Sequence, residues 1–157
     1  MTRTRHVRIA SVVPGAVPVD AIWAFRDRLH RVGEHRIWQG TADRGTTPVL
    51  VVDQVHYAAR RIAWVLHHNT EPVGIVKTTC GVRLCVEGAH LSDERSRQAD
   101  HVLYAALVHG VILAGDCRNG HDRAALGYVR ADGKTGCRGC DNARRRTTAC
   151  LEGATAA

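Results

Sequence analysis

The chain has 157 residues and a formal net charge of +7; 45% of its residues are hydrophobic, but only 4% are aromatic. That length allows one compact domain or two very small ones, and a core with so few large rings is expected to need additional cross-links. Because there is no apolar run of 18 residues and no apolar stretch of signal-peptide type near the N-terminus, the sequence excludes a transmembrane helix and predicts a cytoplasmic protein, in the cytosol or nucleoid, with no membrane partner.

The positive charge is concentrated towards the two ends of the chain. Residues 1–36 carry a net charge of +4, residues 37–116 a net charge of −1 and residues 117–150 a net charge of +5. Two basic ends around a near-neutral middle favour a clamp on a polyanion, and nucleic acid is the commonest polyanion of a cytosol. The alternative is a basic surface that keeps the protein soluble without a specific partner.

The predicted elements mix helices and short strands, which indicates an α+β fold. In chain order they are a helix over 20–32 ended by Gly33, strands at 38–40, 49–52 and 55–57, a helix at 58–68, a strand at 75–77 and a long helix from Ser92 to about Leu113. The sequence thus predicts a flexible arm over 1–19, a unit over 20–114, a Cys-rich finger over 115–146 and a frayed tail over 147–157.

Three potential metal ligands lie close together in the middle of the chain. Cys80, Cys85 and His90 form a C-x4-C-x4-H cluster. Two thiolates and one imidazole at this spacing can surround one tetrahedral ion, and zinc is the usual ion for such ligands. Disulfides rarely persist in a cytosol, which favours this interpretation over a cross-link. The alternative is two small buried thiols and a His at the start of a helix.

The residues around this cluster resemble the HNH nucleases of actinobacteria and their phages, which are related to the His-Cys box endonucleases of the ββα-metal (His-Me finger) superfamily. The family pattern is Arg-x-Ala-Trp-x-Leu, then Asp-His-x-Cys-x4-Cys-Val-Asn-Pro-x-His-Leu, with Cys-Trp-x-Trp-x-Gly upstream. The matching segments here are RIAWVLHH at 61–68, VKTTC at 76–80, CVEGAHL at 85–91 and, upstream, HRIWQG at 35–40. The resemblance implies that His35 replaces a family Cys as the fourth zinc ligand, beside Cys80, Cys85 and His90.

A second cluster follows in the C-terminal part. Cys117, His121, Cys137 and Cys140 form the pattern C-x3-H-x15-C-x2-C, with a Gly-containing hairpin predicted between the two ligand pairs. This spacing predicts a small zinc finger, and it resembles the finger often appended to those HNH proteins. The expectation is therefore a zinc-stapled ββα-metal unit plus a C-terminal Cys/His zinc finger, with two structural Zn²⁺ ions.

The positions that carry catalysis in the family are substituted. A His acts there as general base, and a divalent ion held by an Asp, or by an Asn on the following helix, stabilises charge on the phosphate. The resemblance places Lys77 at the Asp position and Thr78 at the His position, and residues 96–99 contain no Asn, with Ala99 at the remaining metal position. Thr78 cannot accept a proton near neutral pH and Lys77 repels a divalent ion. The resemblance therefore implies a pseudonuclease.

The resemblance, together with the charge distribution, implies a catalytically inactive HNH-like protein, phage-encoded or regulatory, that binds nucleic acid in the form of double-stranded DNA. The candidate phosphate contacts are Arg60, Arg61, Lys77, Arg144, Arg145 and Arg146. A local salt bridge is the alternative for one member of the Arg60–Arg61 pair, and a solvated basic tail for the last three. Two further functions stay open: an active metal-dependent HNH endonuclease that uses displaced residues, and a protein-interaction module that binds a host protein, which the near-neutral middle favours.

Overall fold

The computed structural model describes residues 10–154, and the side chains of residues 10–147. The described chain divides into two compact units, a first unit that ends at Glu94 and a second unit that begins at Arg95. The sequence predicted this boundary at 114/115 instead, because it assigned the long helix to the same unit as the first metal cluster. Residues 1–9 of the predicted arm and residues 155–157 of the predicted tail lie outside the described residues.

The first unit, as far as it is described, consists of short antiparallel sheets and two helices. Its elements are α1 (Val19–Arg26), β1 (Leu29–Val32), β2 (His35–Trp38), β3 (Ala42–Asp43), β4 (Thr47–Val52), β5 (Val55–Ala58), α2 (Ala59–His68), β6 (Lys77–Thr78) and β7 (Leu91–Ser92). Strand β1 pairs with β2, the central strand β4 pairs with β3 on one side and β5 on the other, and β6 pairs with β7, all antiparallel. Helix α2 and the hairpin β4–β5 agree with the predicted elements, whereas β2 and β6 are shifted along the chain from the predicted strands.

The helix predicted over 20–32 is wrong in its second half. Helix α1 ends at Arg26, and Leu29 and Val32 lie in β1, directly before a two-residue hairpin turn. Gly33 explains the error, because its φ of +58° serves a tight hairpin turn as well as it serves the end of a helix. The apolar spacing alone therefore did not distinguish the two structures.

The core of the first unit is formed by α1, β2, α2 and the sheet β3–β4–β5. Phe25 of α1 and Trp38 of β2 stack with ring centroids 5.7 Å apart, and the Trp38 indole N–H donates to the carbonyl of Thr41 at 2.9 Å. Leu50 and Ile62 are buried beside them. The core thus uses one fully buried indole as its largest member.

Part of the predicted flexible arm belongs to this core. Val12 is fully buried, and the N–H of Ala10 donates to the carbonyl of His56 at 2.7 Å. A segment with a buried apolar side chain and a backbone hydrogen bond to strand β5 is held in place. The described part of the arm is therefore anchored at Ala10 and Val12, which the prediction of a flexible arm did not anticipate.

The second unit contains most of the long helix and a hairpin between two further helices. Its elements are α3 (Glu94–His109), which starts at the last residue of the first unit, α4 (Arg123–Leu126), β8 (Gly127–Val129), β9 (Thr135–Cys137) and α5 (Arg138–Ala154). Helix α3 ends before Gly110, whose φ is +63°, and not near Leu113 as predicted. Strands β8 and β9 form the predicted hairpin. Helix α5 continues past the predicted boundary at 146/147, and no described helix is long and apolar enough to cross a membrane.

Candidate metal centres and basic groove

The first Cys/His cluster unites the four predicted ligands His35, Cys80, Cys85 and His90, whose ligand atoms all lie within 4.8 Å of one another. The Nδ1 atoms of His35 and His90 are 3.1 Å apart, and the Sγ of Cys85 lies 3.7 Å from each of them. A tetrahedral ion with metal–sulfur bonds of about 2.3 Å and metal–nitrogen bonds of about 2.0 Å needs ligand separations of about 3.3–3.8 Å. The donor set and its spacing therefore fit one metal ion.

Backbone pairing brings these distant ligands together. Strand β2, which begins at His35, pairs on its other side with the loop that carries Cys85. The N–H of Trp38 donates to the carbonyl of Leu84 at 2.9 Å, and the N–H of Val86 donates to the carbonyl of Arg36 at 2.8 Å. This short ladder fixes the upstream ligand beside the loop ligands.

Backbone pairing also closes the two ends of the loop that carries Cys80, Cys85 and His90. Strands β6 and β7 pair just before Cys80 and just after His90, and the N–H of Thr79 donates to the carbonyl of His90 at 2.8 Å.

Burial raises the pKa of the Cys85 thiol, while the N–H of Glu87, 3.4 Å from its Sγ, lowers it. A bound cation acts in the same direction as that N–H group, because it also favours the thiolate.

The second cluster unites Cys117, His121, Cys137 and Cys140, as the sequence predicted. The Sγ atoms of Cys117 and Cys140 are 3.6 Å apart, and each lies 3.4 Å from the Nδ1 of His121. Cys137 is the last residue of β9 and Cys140 lies in the first turn of α5, so the hairpin β8–β9 places one ligand pair against the other. These separations again fit one tetrahedral ion.

One thiol of this second cluster is prepared for metal binding by the backbone. The N–H of Asn119, followed in effect by the N–H of His121, lowers the pKa of the Cys117 thiol to about 6. The tight turn that supplies these groups is closed by the N–H of Cys117, which donates to the carbonyl of His121 at 2.8 Å. Because the thiolate is the form that binds metals, this turn favours a ligand at neutral pH.

A groove of about 600 Å³ lies on the first unit, and we call it the basic groove. Its lining residues are Thr47, Pro48, Ala58, Arg60, Arg61, Gly74, Ile75, Val76, Lys77 and Thr78. Three predicted phosphate contacts, Arg60, Arg61 and Lys77, therefore line one groove together with Thr78. None of the lining residues is acidic, and none is a His or a Cys.

The two arginines of the basic groove also hold loops in place. Arg60 donates from Nη2 to the carbonyl of Arg83 at 2.5 Å, and burial lowers the pKa of its guanidinium. Arg61 donates from Nη1 to the carbonyl of Gly74 at 2.7 Å and lies 3.7 Å from a carboxylate oxygen of Glu71, the local ion pair that the sequence left open. Lys77, by contrast, is exposed on β6.

The remaining predicted positions lie in the second unit. Ala99 is exposed on α3, and Arg144 pairs with the carboxylate of Asp141. Arg145 lines a recess on the second unit, whereas Arg146 is exposed outside that lining. Arg138, Asp141 and Asn142 also line this recess and were not predicted from the sequence. Together with Arg145 they follow the helical spacing i, i+3, i+4, i+7 on α5, which is the signal that could have indicated them.

The chain matches no protein-family model, no curated protein and no solved structure. The resemblance to HNH nucleases is therefore carried by the sequence motifs alone.

Proposed function

We propose that this protein binds nucleic acid, with double-stranded DNA as its ligand, and that it is a pseudonuclease related to the HNH family. The observation that carries the proposal is the basic groove, which Arg60, Arg61 and Lys77 line together with no acidic lining residue. Phosphate contacts from Arg and Lys supply most of the affinity of proteins for DNA. A phosphodiester is the ligand that this lining favours.

Lys77 gives the proposal its chemical detail. Its ammonium is exposed at the position where the family pattern has the Asp that binds a divalent ion. A Lys side chain presents a compact positive charge with three donors, which suits a phosphate oxygen. We infer that Lys77 takes over the phosphate-binding part of the metal's role, so that the groove binds DNA without cutting it.

The order of elements supports the same fold family. Strand β6, a loop with three metal ligands, strand β7 and helix α3 follow one another along the chain. That succession is the one expected of a ββα-metal unit. We propose this architecture for the region and a zinc finger for residues 115–146.

We further propose that both clusters hold Zn²⁺ in a structural role. One offers two Cys and two His, and the other three Cys and one His. Zinc sites whose four ligands all come from protein are structural, whereas catalytic sites keep a position open for water. The two clusters each supply all four ligands.

An active endonuclease is the rival that the groove disfavours. Hydrolysis of a phosphodiester needs a general base and a metal ligand close to the phosphate. The residues that line the basic groove include no His, Asp or Glu, and the Thr78 hydroxyl does not act as a base near neutral pH. Binding without cleavage is the function that these groups can perform.

A protein-interaction module is the second candidate function. On and after α3, the apolar side chains of Leu103, Tyr104, Leu107, Val108 and Ile112 are each more than half exposed. Exposed apolar patches of this kind are common at protein–protein contacts. This exposed apolar face is the observation that favours a host protein as a partner.

The two lysines of the chain provide a matched test of the groove. Lys77 lines it, whereas Lys134 is exposed in the β8–β9 turn beside Asp132, with 79% of its side chain accessible. Lys77→Gln should weaken binding to a short DNA duplex about three- to tenfold and lower the salt slope by about 0.9, the value for one phosphate contact. Lys134→Gln removes the same charge and should change the affinity less than about twofold, as expected of an uninvolved surface charge.

The measurement is fluorescence anisotropy with a labelled duplex at several salt concentrations. Equal effects of the two substitutions would show that net charge, and not the groove, determines binding. A failure of the unmodified protein to bind DNA at low salt would contradict the proposal and leave the protein-interaction function.

A further inference from the structure

The second unit contains a recess of about 430 Å³, separate from the basic groove, and one face of α5 forms much of its wall. Arg138, Asp141, Asn142 and Arg145 lie on this face at the spacing i, i+3, i+4, i+7, so all four side chains reach the recess. Arg138 and Arg145 are two helical turns apart, and their long side chains can approach one ligand from two sides. The recess therefore combines two guanidinium groups with an amide.

Arg138 is held in place by a neutral, buried partner. Its Nη1 donates to the Oε1 of Gln98 at 2.8 Å, and only 7% of Gln98 is exposed. The Nε2 of Gln98 donates in turn to the carbonyls of Ala124 and Gly127 at 3.1 and 3.0 Å. Because this anchor carries no charge, it orients the guanidinium without neutralising it.

The one carboxylate of the recess has its own partners. Asp141 accepts a hydrogen bond from the Tyr128 hydroxyl at 2.5 Å and pairs with Arg144. Its negative charge is thus balanced by a cation outside the lining, and the charges of Arg138 and Arg145 remain for an anion. A phosphate is the anion that two arginine side chains bind best.

The recess is larger than a phosphate needs and has a second kind of wall. Tyr128 and Val129 of β8 and His101 of α3 line it, and they add ring and apolar surface. The Nε2 atom of His101 is buried and has no hydrogen-bond partner among the described residues. The volume of the recess lies in the range of small-molecule sites. Aromatic side chains such as Tyr128 can stack on nucleobases.

We propose that this recess binds a single unpaired or terminal nucleotide of the nucleic acid, with its phosphate between Arg138 and Arg145 and its base against Tyr128 and the Asn142 amide. The proposal rests on the proposed function, and it adds a second contact of a different kind. The basic groove takes the duplex backbone, whereas the recess takes one whole nucleotide.

Arg145 and Arg146 form a matched pair for the test, since they are adjacent on α5 but only Arg145 lines the recess. The unmodified full chain with its metals is titrated with deoxyadenosine 5′-monophosphate, and separately with inorganic phosphate, by calorimetry and by NMR of the Tyr128 and His101 signals. Arg145→Gln should weaken mononucleotide binding about tenfold, the value expected for one lost charged hydrogen bond. Arg146→Gln should change it less than about twofold, because surface charges outside a site contribute little.

Three results would overturn the proposal: no mononucleotide binding by the unmodified chain, equal losses in the two variants, or inorganic phosphate binding as tightly as the mononucleotide. Metal content and circular dichroism verify that each variant is folded. Lys77→Gln separates this proposal from the proposed function. It should weaken duplex binding and leave mononucleotide binding unchanged, so each site can fail without the other.

Discussion

The Nδ1 atoms of His35 and His90 lie 3.1 Å apart, although 55 residues separate them in the sequence. The Sγ of Cys85 completes a triangle with them at 3.7 Å on both sides. Two neutral imidazoles that face each other through the same atom share at most one hydrogen bond. A cation bound between them uses both lone pairs, and a tetrahedral ion needs a separation of about 3.3 Å between two nitrogens. The 3.1 Å distance between the two Nδ1 atoms is therefore close to the distance expected when both bind one metal ion.

Metal content is the first prediction. Purified protein should contain two zinc ions per chain by plasma mass spectrometry, and Cys80→Ser or Cys137→Ser should each lower the content to one, because each removes a ligand from a different cluster. Cys150→Ser is the control, since this Cys belongs to neither predicted ligand set, and it should leave two ions. If the unmodified protein contained one ion or none, one or both of the proposed metal centres would be wrong.

The first prediction extends to folding, because the positions of the tryptophans allow the two units to be observed separately. All three lie in the first unit, at 23, 38 and 64. Structural zinc supplies much of the folding free energy of small domains, so Cys80→Ser should unfold the first unit and shift the tryptophan emission to that of exposed indole. Cys137→Ser should leave this emission unchanged while helix content falls. A shift of emission in both variants would show that the two units do not fold independently.

The core makes a second prediction, on stability. Trp38 is 1% exposed and Trp23 is 59% exposed, so the same substitution tests burial directly. Trp38→Ala should lower the free energy of unfolding by about 3–5 kcal/mol, the usual cost of removing a buried indole. Trp23→Ala loses only an exposed ring with Arg26 5.6 Å from its centroid and should cost less than about 1 kcal/mol. Urea unfolding followed by circular dichroism measures both, and similar costs would contradict the assigned core.

A third prediction concerns the buried amide of the second unit. Gln98→Leu replaces the side chain by an apolar one of similar size, and it removes the Nε2 donor of the carbonyls of Ala124 and Gly127. Because unpaired buried polar groups are costly, the second unit should lose about 1–3 kcal/mol of stability. Gln39→Leu, at an exposed position, should change the stability by less than about 0.5 kcal/mol. Equal urea midpoints for the two variants would count against the role assigned to Gln98.

The metal clusters were predicted well because ligand spacing is a local property of the sequence. The four residues of the second cluster follow from their spacing, whereas His35 could be identified only through the family resemblance, since it lies 45 residues from its nearest partner in sequence. Helix α2 was predicted because its apolar residues follow a clear helical period.

The elements that were missed depend on tertiary contacts. The strand β1 has one apolar pattern compatible with either structure, and its pairing with β2 decides between them. Val12 is buried in a core cluster whose other members lie farther along the chain, and Ala10 near it bonds to His56. Gln98 has no sequence signal of its own, because its role exists only where α4, β8 and α5 supply its partners.

Catalysis is the subject of the fourth prediction. The protein should neither nick nor cleave plasmid DNA with magnesium or manganese, because Thr78 supplies no base and neither Lys77 nor Ala99 supplies a metal ligand. A general base alone contributes about 10²–10⁴-fold, and the ion adds several kcal/mol of charge stabilisation. Gel analysis of plasmid forms is the measurement. Metal-dependent cleavage that survives Thr78→Ala would contradict the proposal of a pseudonuclease and favour an active endonuclease.

The central claim, that the chain binds nucleic acid through phosphate contacts, is tested most directly by the salt dependence of its affinity for duplex DNA. The equilibrium constant of the unmodified protein is measured between about 50 and 200 mM salt. With three groove cations at the backbone, the logarithm of the constant should fall linearly against the logarithm of the salt concentration, with a slope steeper than about −2. A slope near zero, or no binding at the lowest salt concentration, would contradict the account.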